Sequence, residues 1–183
     1  IHKFAISQRQ YSIQRVNGVP SKTVTPSDVD LARIRSDSAL VRQARKDRTS
    51  EIDFLAGFQK PLIGPITGVY GSQRVYNGVP KNPHYGVDYA APTGTEVVAP
   101  AAGIVRLAHP DLFYSGGTMI IDHGHGLSSS FLHLSGLLVA EGTRVRRGQP
   151  IALVGATGRA TGPHLDWRMN WHQQRIDPQL VLE

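Results

Sequence analysis

The sequence predicts a mainly β protein, an all-β sandwich or barrel with a short strand and helix extension ahead of it. Of its 19 glycines and 12 prolines, most lie after Lys60, which is the punctuation of short strands and tight turns rather than of a helical bundle. Between them, short runs of branched and alternating residues follow at close intervals, each bounded by Gly, Pro or Asn. The 183 residues fit one domain with an extension, or two small units, and suffice to bury a core without cross-links.

The elements follow in chain order. Phe4-Ala5-Ile6 and residues 11–16 alternate as strands do, and read as a β-hairpin or as arms that pair elsewhere; Asn17-Gly18 closes the second run. Thr25-Pro26-Ser27-Asp28 is a helix-start signal, with Thr25 placed to cap and Pro26 at a position where its missing N–H costs nothing. Leu31, Ile34, Leu40 and Val41 then keep helical spacing, which predicts a helix over about residues 26–46. Its Arg33, Arg35, Arg42, Arg45 and Lys46 are expected to form a solvated face. A change of pattern near residue 55 divides an N-terminal extension, residues 1–55, from a β domain, residues 56–183. Strands are expected at 96–98, 103–108, 118–122, 127–133, 143–145 and 151–154.

Composition narrows the function. The net charge of +6 favours anionic partners, among them a carboxylate-rich polymer. The longest basic cluster, Arg144-Val145-Arg146-Arg147, sits in a hairpin-like segment with no interleaved aromatics, so nucleic acid is not the expected partner. Without cysteine, neither a disulfide framework nor a thiolate zinc site is possible. No run of about 18 apolar residues occurs, so no transmembrane helix is expected. The chain opens on Ile1 rather than Met, and the expectation is an upstream segment, such as an export signal, removed from it.

Three polar clusters carry candidate chemistry. In His84-Tyr85-Gly86-Val87-Asp88, Pro83 and Gly86 argue for a loop entering a strand, with Asp88 turned opposite to Val87. An imidazole and a carboxylate on one segment suit a borderline metal, although the pair taken alone reads first as structural. In His164-Leu165-Asp166, strand alternation puts His164 and Asp166 on one face and Leu165, Trp167 and Met169 against the core. His133 lies between Leu132 and Leu134 and needs a partner, which a backbone group alone would supply. His123 and His125 alternate with glycines and read as a hairpin turn; His109 and His172 have no supporting constellation.

Taken together, these segments resemble the M23 metallopeptidases, the lysostaphin-type zinc endopeptidases of peptidoglycan. The resemblance runs through Tyr70-Gly71-Ser72-Gln73-Arg74, residues 84–95, Ala99-Pro100-Ala101-Ala102-Gly103, Ile121-Asp122-His123-Gly124, His133-Leu134-Ser135, Val154-Gly155-Ala156-Thr157-Gly158 and Thr161-Gly162-Pro163-His164-Leu165. It implies an M23-type antiparallel β-sandwich or half-barrel for the β domain; the N-terminal hairpin and α-helix rest on the residue pattern alone. It also implies one Zn²⁺ per chain held by His84, Asp88 and Asp166, with His133 and His164 as catalytic histidines. The implied substrate is the peptide cross-link of peptidoglycan and the implied location is the periplasm or cell envelope. One departure stands out: the family pattern has a histidine at the third ligand position, where this chain has Asp166. A second carboxylate can still ligate zinc but makes the centre less positive, so it should acidify a bound water less. A non-catalytic member that binds peptidoglycan or regulates a cell-wall amidase is the alternative.

Overall fold

Strands pair into one large sheet and two small ones in the computed structural model of the chain, which describes residues 5, 8, 10–46 and 49–182. In chain order the elements are β1 (Ile13–Val16), α1 (Ser21–Val24), α2 (Asp28–Ala44), β2 (Ile66–Gly68), β3 (Gln73–Tyr76), β4 (Val79–Pro80), β5 (Val87–Ala90), β6 (Glu96–Val98) and β7 (Gly103–Leu112). There follow β8 (Gly116–Gly124), β9 (Leu127–Leu134), β10 (Gly136–Leu137), β11 (Arg144–Val145), β12 (Pro150–Leu153), β13 (His164–Trp171) and β14 (Gln174–Ile176). The six strands expected from residue 96 onward are all present.

The large sheet is antiparallel, in the order β11-β7-β8-β9-β13-β5-β2, with β14 also paired to β13. A small sheet, β10-β12-β6, packs against one of its faces. The core fills the gap: Val87, Tyr89, Met119, Ile121, Phe131, Leu165, Trp167 and Met169 from the large sheet meet Val97, Ile151 and Ala152 from the small one. Alternation therefore sends the intervening residues of β5, β9 and β13 to the opposite face, and the polar clusters lie there.

That opposite face is partly roofed by α2, whose Val41 and Ala44 pack on Leu107, Leu112 and Ile120. A bulge at Arg106 makes this possible. Val105 pairs with Ile121 and Leu107 with the adjacent Ile120, so β7 feeds the core before the bulge and the helix contact after it. Strand β8 is covered on both faces and is buried throughout, which explains its unbroken Met119-Ile120-Ile121 run.

Two N-terminal expectations are refined. The helix starts at Asp28, because Ser27 rather than Thr25 is the cap: Asp30 N donates to Ser27 Oγ while Ser27 N donates to the Asp30 carboxylate. Strand β1 pairs in parallel with β3, as an arm that pairs elsewhere; Phe4 and Ile6 of the other arm lie outside the described residues. No helix among the described residues is long and apolar enough to cross a membrane.

The His123-Gly124-His125-Gly126 segment forms the expected hairpin turn between β8 and β9, with His125 at φ 49°. His123 is wholly buried between Ala102 O, 2.7 Å from Nδ1, and Ser129 Oγ, 2.8 Å from Nε2. Burial outweighs the carbonyl hydrogen bond and pushes its pKa down to about 4. As pH falls below 6.5 the unfolded chain takes up a proton that the folded chain refuses until about pH 4, so stability is lost through that window, by up to about 3 kcal/mol. Melting temperature should therefore fall more steeply from pH 7 to 4.5 in the wild type than in His123→Asn; parallel slopes would rule this out.

Candidate metal centre and groove

Antiparallel pairing of β5 and β13 sets Asp88 directly opposite Asp166, with His164 opposite Ala90. Val87, Tyr89, Leu165 and Trp167 point to the core, so both carboxylates point to the other face. His84 reaches the same point from the loop before β5. Its backbone is held by His84 N to Ser72 O at 2.8 Å and Gly71 N to His84 O at 2.7 Å. His84 Nε2 lies 3.1 Å from Asp88 Oδ1 and 3.3 Å from Asp166 Oδ1. All three side chains are buried, and one ligand atom from each falls within a 4.8 Å cluster.

Two guanidiniums keep this cluster charged. Arg74 Nη2 donates to Asp88 Oδ2 at 2.5 Å and to His84 Nδ1 at 2.8 Å. Arg168 forks onto Asp166, with Nε 3.0 Å from Oδ1 and Nη2 2.5 Å from Oδ2. Burial alone would raise the Asp166 pKa, but Arg168 and His84 hold it well below the usual carboxylate range. For Asp88, burial and Asp166 push upward and His84 and Arg74 win, leaving it lowered. For His84, burial pulls down, but Asp166 and Asp88 prevail and raise it.

The donor set fits a divalent cation. His84 Nε2 and Asp88 Oδ1 are buried polar atoms with no hydrogen-bond partner among the described residues, and Nε2 faces both Asp88 Oδ1 and Asp166 Oδ1. One imidazole nitrogen and two carboxylate oxygens are a proper ligand set for zinc with an open position. Arg74 works against it: a guanidinium only donates, so Nδ1 accepts and the ring hydrogen sits on Nε2. Ligation requires that hydrogen to leave.

The two remaining histidines stand side by side, ring centroids 4.7 Å apart. His133 Nδ1 donates to Thr157 O at 2.8 Å and His164 Nδ1 to Gly162 O at 2.9 Å, so each ring presents a bare Nε2. Burial, the largest influence, pushes the His133 pKa down to about 4. His133 also has φ of 66°, a left-handed conformation that a non-glycine residue adopts in a strand only when its surroundings impose it. Both line a groove of about 430 Å³ that also holds Asp88, Asp166, Arg168 and Tyr114. Arg159 stacks between Tyr76 and Tyr114, 4.6 Å from each ring, and ties the groove walls together. His109 and His172 do not line it.

All five residues singled out from the sequence thus converge. Reading the sequence missed Arg168, although it follows His164 and Asp166 at the same two-residue period. Arg45, assigned to a solvated face, instead turns inward and donates Nη2 to Ser130 Oγ at 2.9 Å.

A model of peptidase family M23 matches residues 82–178. The peptidoglycan DD-endopeptidase ShyA of Vibrio cholerae is 45% identical over 89 residues, covering 48% of this chain and 20% of that protein. ShyB of the same organism, also a peptidoglycan DD-endopeptidase, is 42% identical over 124 residues, covering 67% of this chain and 26% of that protein. The chain thus spans about a fifth to a quarter of these relatives' length. A Pseudomonas aeruginosa crystal structure assigned to peptidase M23 superposes with a TM-score of 0.73 at 38% identity, covering 85% of this chain and 63% of that one. A zinc-containing peptidase from Vibrio cholerae superposes at 0.62 and 34% identity, covering 66% of this chain and 39% of that one.

Gly86 tests the centre's geometry. A Cβ there would strike Asp166 Oδ1, Arg168 Cγ and Trp167 O, so only glycine lets β5 approach β13 this closely. Gly86→Ala should displace the Asp166 carboxylate and weaken zinc affinity by about tenfold or more in calorimetric titration, with an unchanged far-UV spectrum. Wild-type affinity in that variant would show that Asp166 is not needed.

Proposed function

The chain belongs to peptidase family M23, and from that premise we propose that it is a zinc-dependent endopeptidase hydrolysing the peptide cross-links of peptidoglycan in the cell envelope. The observation that carries this is the convergence of His84 Nε2, Asp88 Oδ1 and Asp166 Oδ1 at the edge of a groove that Asp88 and Asp166 share with His133 and His164, each of which turns Nδ1 to a backbone carbonyl. The named activity of ShyA and ShyB points the same way, as does the zinc of the Vibrio cholerae structure. The basic chain suits a carboxylate-rich wall polymer reached after export to the periplasm.

His84, Asp88 and Asp166 would hold the zinc, which when bound polarises a carbonyl and acidifies water. The protein's own groups do the rest. Arg168 and Arg74 keep both carboxylates ionised and oriented for ligation. With its Nδ1–H pinned to Thr157 O and its pKa near 4, His133 is neutral at working pH and can accept a proton at Nε2. His164, pinned by Gly162 O, presents a second Nε2 that can accept a hydrogen bond from the scissile N–H or, once it has taken up a proton, pass that proton to the leaving amine.

A second reading is favoured by the arginines. Each carboxylate already has a guanidinium, and Arg74 holds His84 in the tautomer that does not ligate through Nε2. A protein of this kind would keep the centre as an ion-pair network and bind peptidoglycan, or a wall amidase, without cutting.

Zinc content and turnover of cross-linked muropeptides separate the two. The enzyme reading expects about one zinc per chain, lost in Asp88→Asn together with activity. His133→Ala and His164→Ala should keep the metal and lose about 10²–10⁴-fold in turnover. A wild-type chain that takes up no zinc and cuts nothing supports the second reading.

A further inference from the structure

The face of the large sheet that carries the metal centre continues beneath α2 into an adjoining recess of about 340 Å³, which shares Tyr114, Ser115, Leu132 and Arg168 with the groove. Its floor is Thr118, Ile120, Ser130 and Leu132, its roof includes Ile34, Ser38 and Val41, and Arg45, Arg168 and Arg175 enter from the sides. We propose that this recess is an anion-binding site, in which Arg45 and Arg175 take a carboxylate or phosphate group. It is separate from the hydrolytic reading and does not need a metal.

Charge is the first argument. Arg168 is committed to Asp166, but Arg45 and Arg175 have only neutral hydrogen-bond acceptors. Arg45 Nη2 donates to Ser130 Oγ at 2.9 Å and Arg175 Nη1 to Asn170 Oδ1 at 3.0 Å. Among the described residues neither forms an ion pair with a carboxylate. Among the described residues the one acid lining the recess is Asp37, which accepts from Phe113 N at 2.7 Å and lies 3.9 Å from Arg33. Arg42, also on the lining, adds to the positive balance.

Unsatisfied donors are the second. Arg45 Nε is buried with no hydrogen-bond partner among the described residues. A planar guanidinium with a vacant Nε–H edge is shaped for a two-oxygen acceptor. The Ser130 hydroxyl accepts from Arg45 and retains its own hydrogen to donate. Burial, then the Arg175 and Arg168 charges, push the Arg45 pKa down to about 9, which still leaves it cationic at neutral pH. The negative end of α2 offsets part of that charge but offers no carboxylate. Burying an uncompensated cation beside two others is unfavourable, and a bound oxyanion relieves it.

Two sources share this chemistry: free phosphate and the terminal carboxylate of a peptide. The test is a thermal-shift titration of the whole chain with sodium phosphate and, separately, N-acetylalanine, at constant ionic strength set with sodium chloride. The wild type should show a saturable rise in melting temperature. Arg45→Gln and Arg175→Gln should each raise the half-saturation concentration by at least about tenfold, as expected for a lost charge-assisted hydrogen bond. Arg45→Gln should itself melt no lower than wild type without anion, since it removes a buried unpaired charge. Arg146→Gln, at an exposed turn, should respond as the wild type does. A response to one probe alone names the source, and a response to both shows a site that takes either oxyanion. No saturable response in the wild type, or an undiminished one in both arginine variants, overturns the proposal. So does its loss in Asp88→Asn, which would place the anion at the metal centre instead.

Discussion

Two carboxylates face each other across a pair of hydrogen-bonded strands, and much of this protein is arranged to permit that. Asp88 and Asp166 are register partners, so the geometry of β5 and β13 holds like charges together in a buried position. Left alone, one of them would take up a proton. Arg74 on one side and Arg168 on the other prevent this, and His84 sits between them. The centre is therefore a balanced ion-pair network, two carboxylates offset by two guanidiniums with His84 between them. Asp166, which stands where the resemblance leads one to expect a histidine, adds a negative charge, and Arg168, two residues along the same strand, sits where it compensates. Both readings of the function turn on whether a metal competes successfully with those guanidiniums.

The large sheet separates its tasks by face. Trp167, Met169, Leu165 and Phe131 close the core against the small sheet, and the alternate residues are left free for chemistry. Because β13 is paired on both edges, its Asp166 and His164 rest on a strand that is hard to displace. Loops add the remaining groups to this base: His84 comes from one, and the carbonyls of Thr157 and Gly162 that orient the two groove histidines come from others. The helix α2 shields the far end of the same face, turning an otherwise open polar surface into the arginine-lined recess.

Much of this was legible in the sequence. Gly and Pro punctuation with short alternating runs was enough for the strand pattern, and alternation alone put His164 and Asp166 on one face with Leu165 opposite. The ordered motifs brought His84, Asp88, His133 and His164 into one expected site. What escaped was set by tertiary contact. Nothing local distinguishes Arg168 from a solvated strand residue until Asp166 is known to be buried beside it. Arg45 carries the same helical signature as Arg42, and only the packing of α2 on β7 and β8 turns it inward. The left-handed backbone of His133 likewise has no local cause such as an adjacent glycine, and follows from its place at the groove wall.

The claim on which the account rests most heavily is that Asp166 is a ligand in spite of Arg168. A crystal structure of the zinc-loaded chain, with data collected at the zinc absorption edge, measures it directly. The account predicts one anomalous peak bounded by His84 Nε2, Asp88 Oδ1 and Asp166 Oδ1, the oxygens at about 2.0–2.2 Å, with Arg168 still bonded to the second Asp166 oxygen. A peak held by His84 and Asp88 alone, or none at the site under saturating zinc, would contradict it.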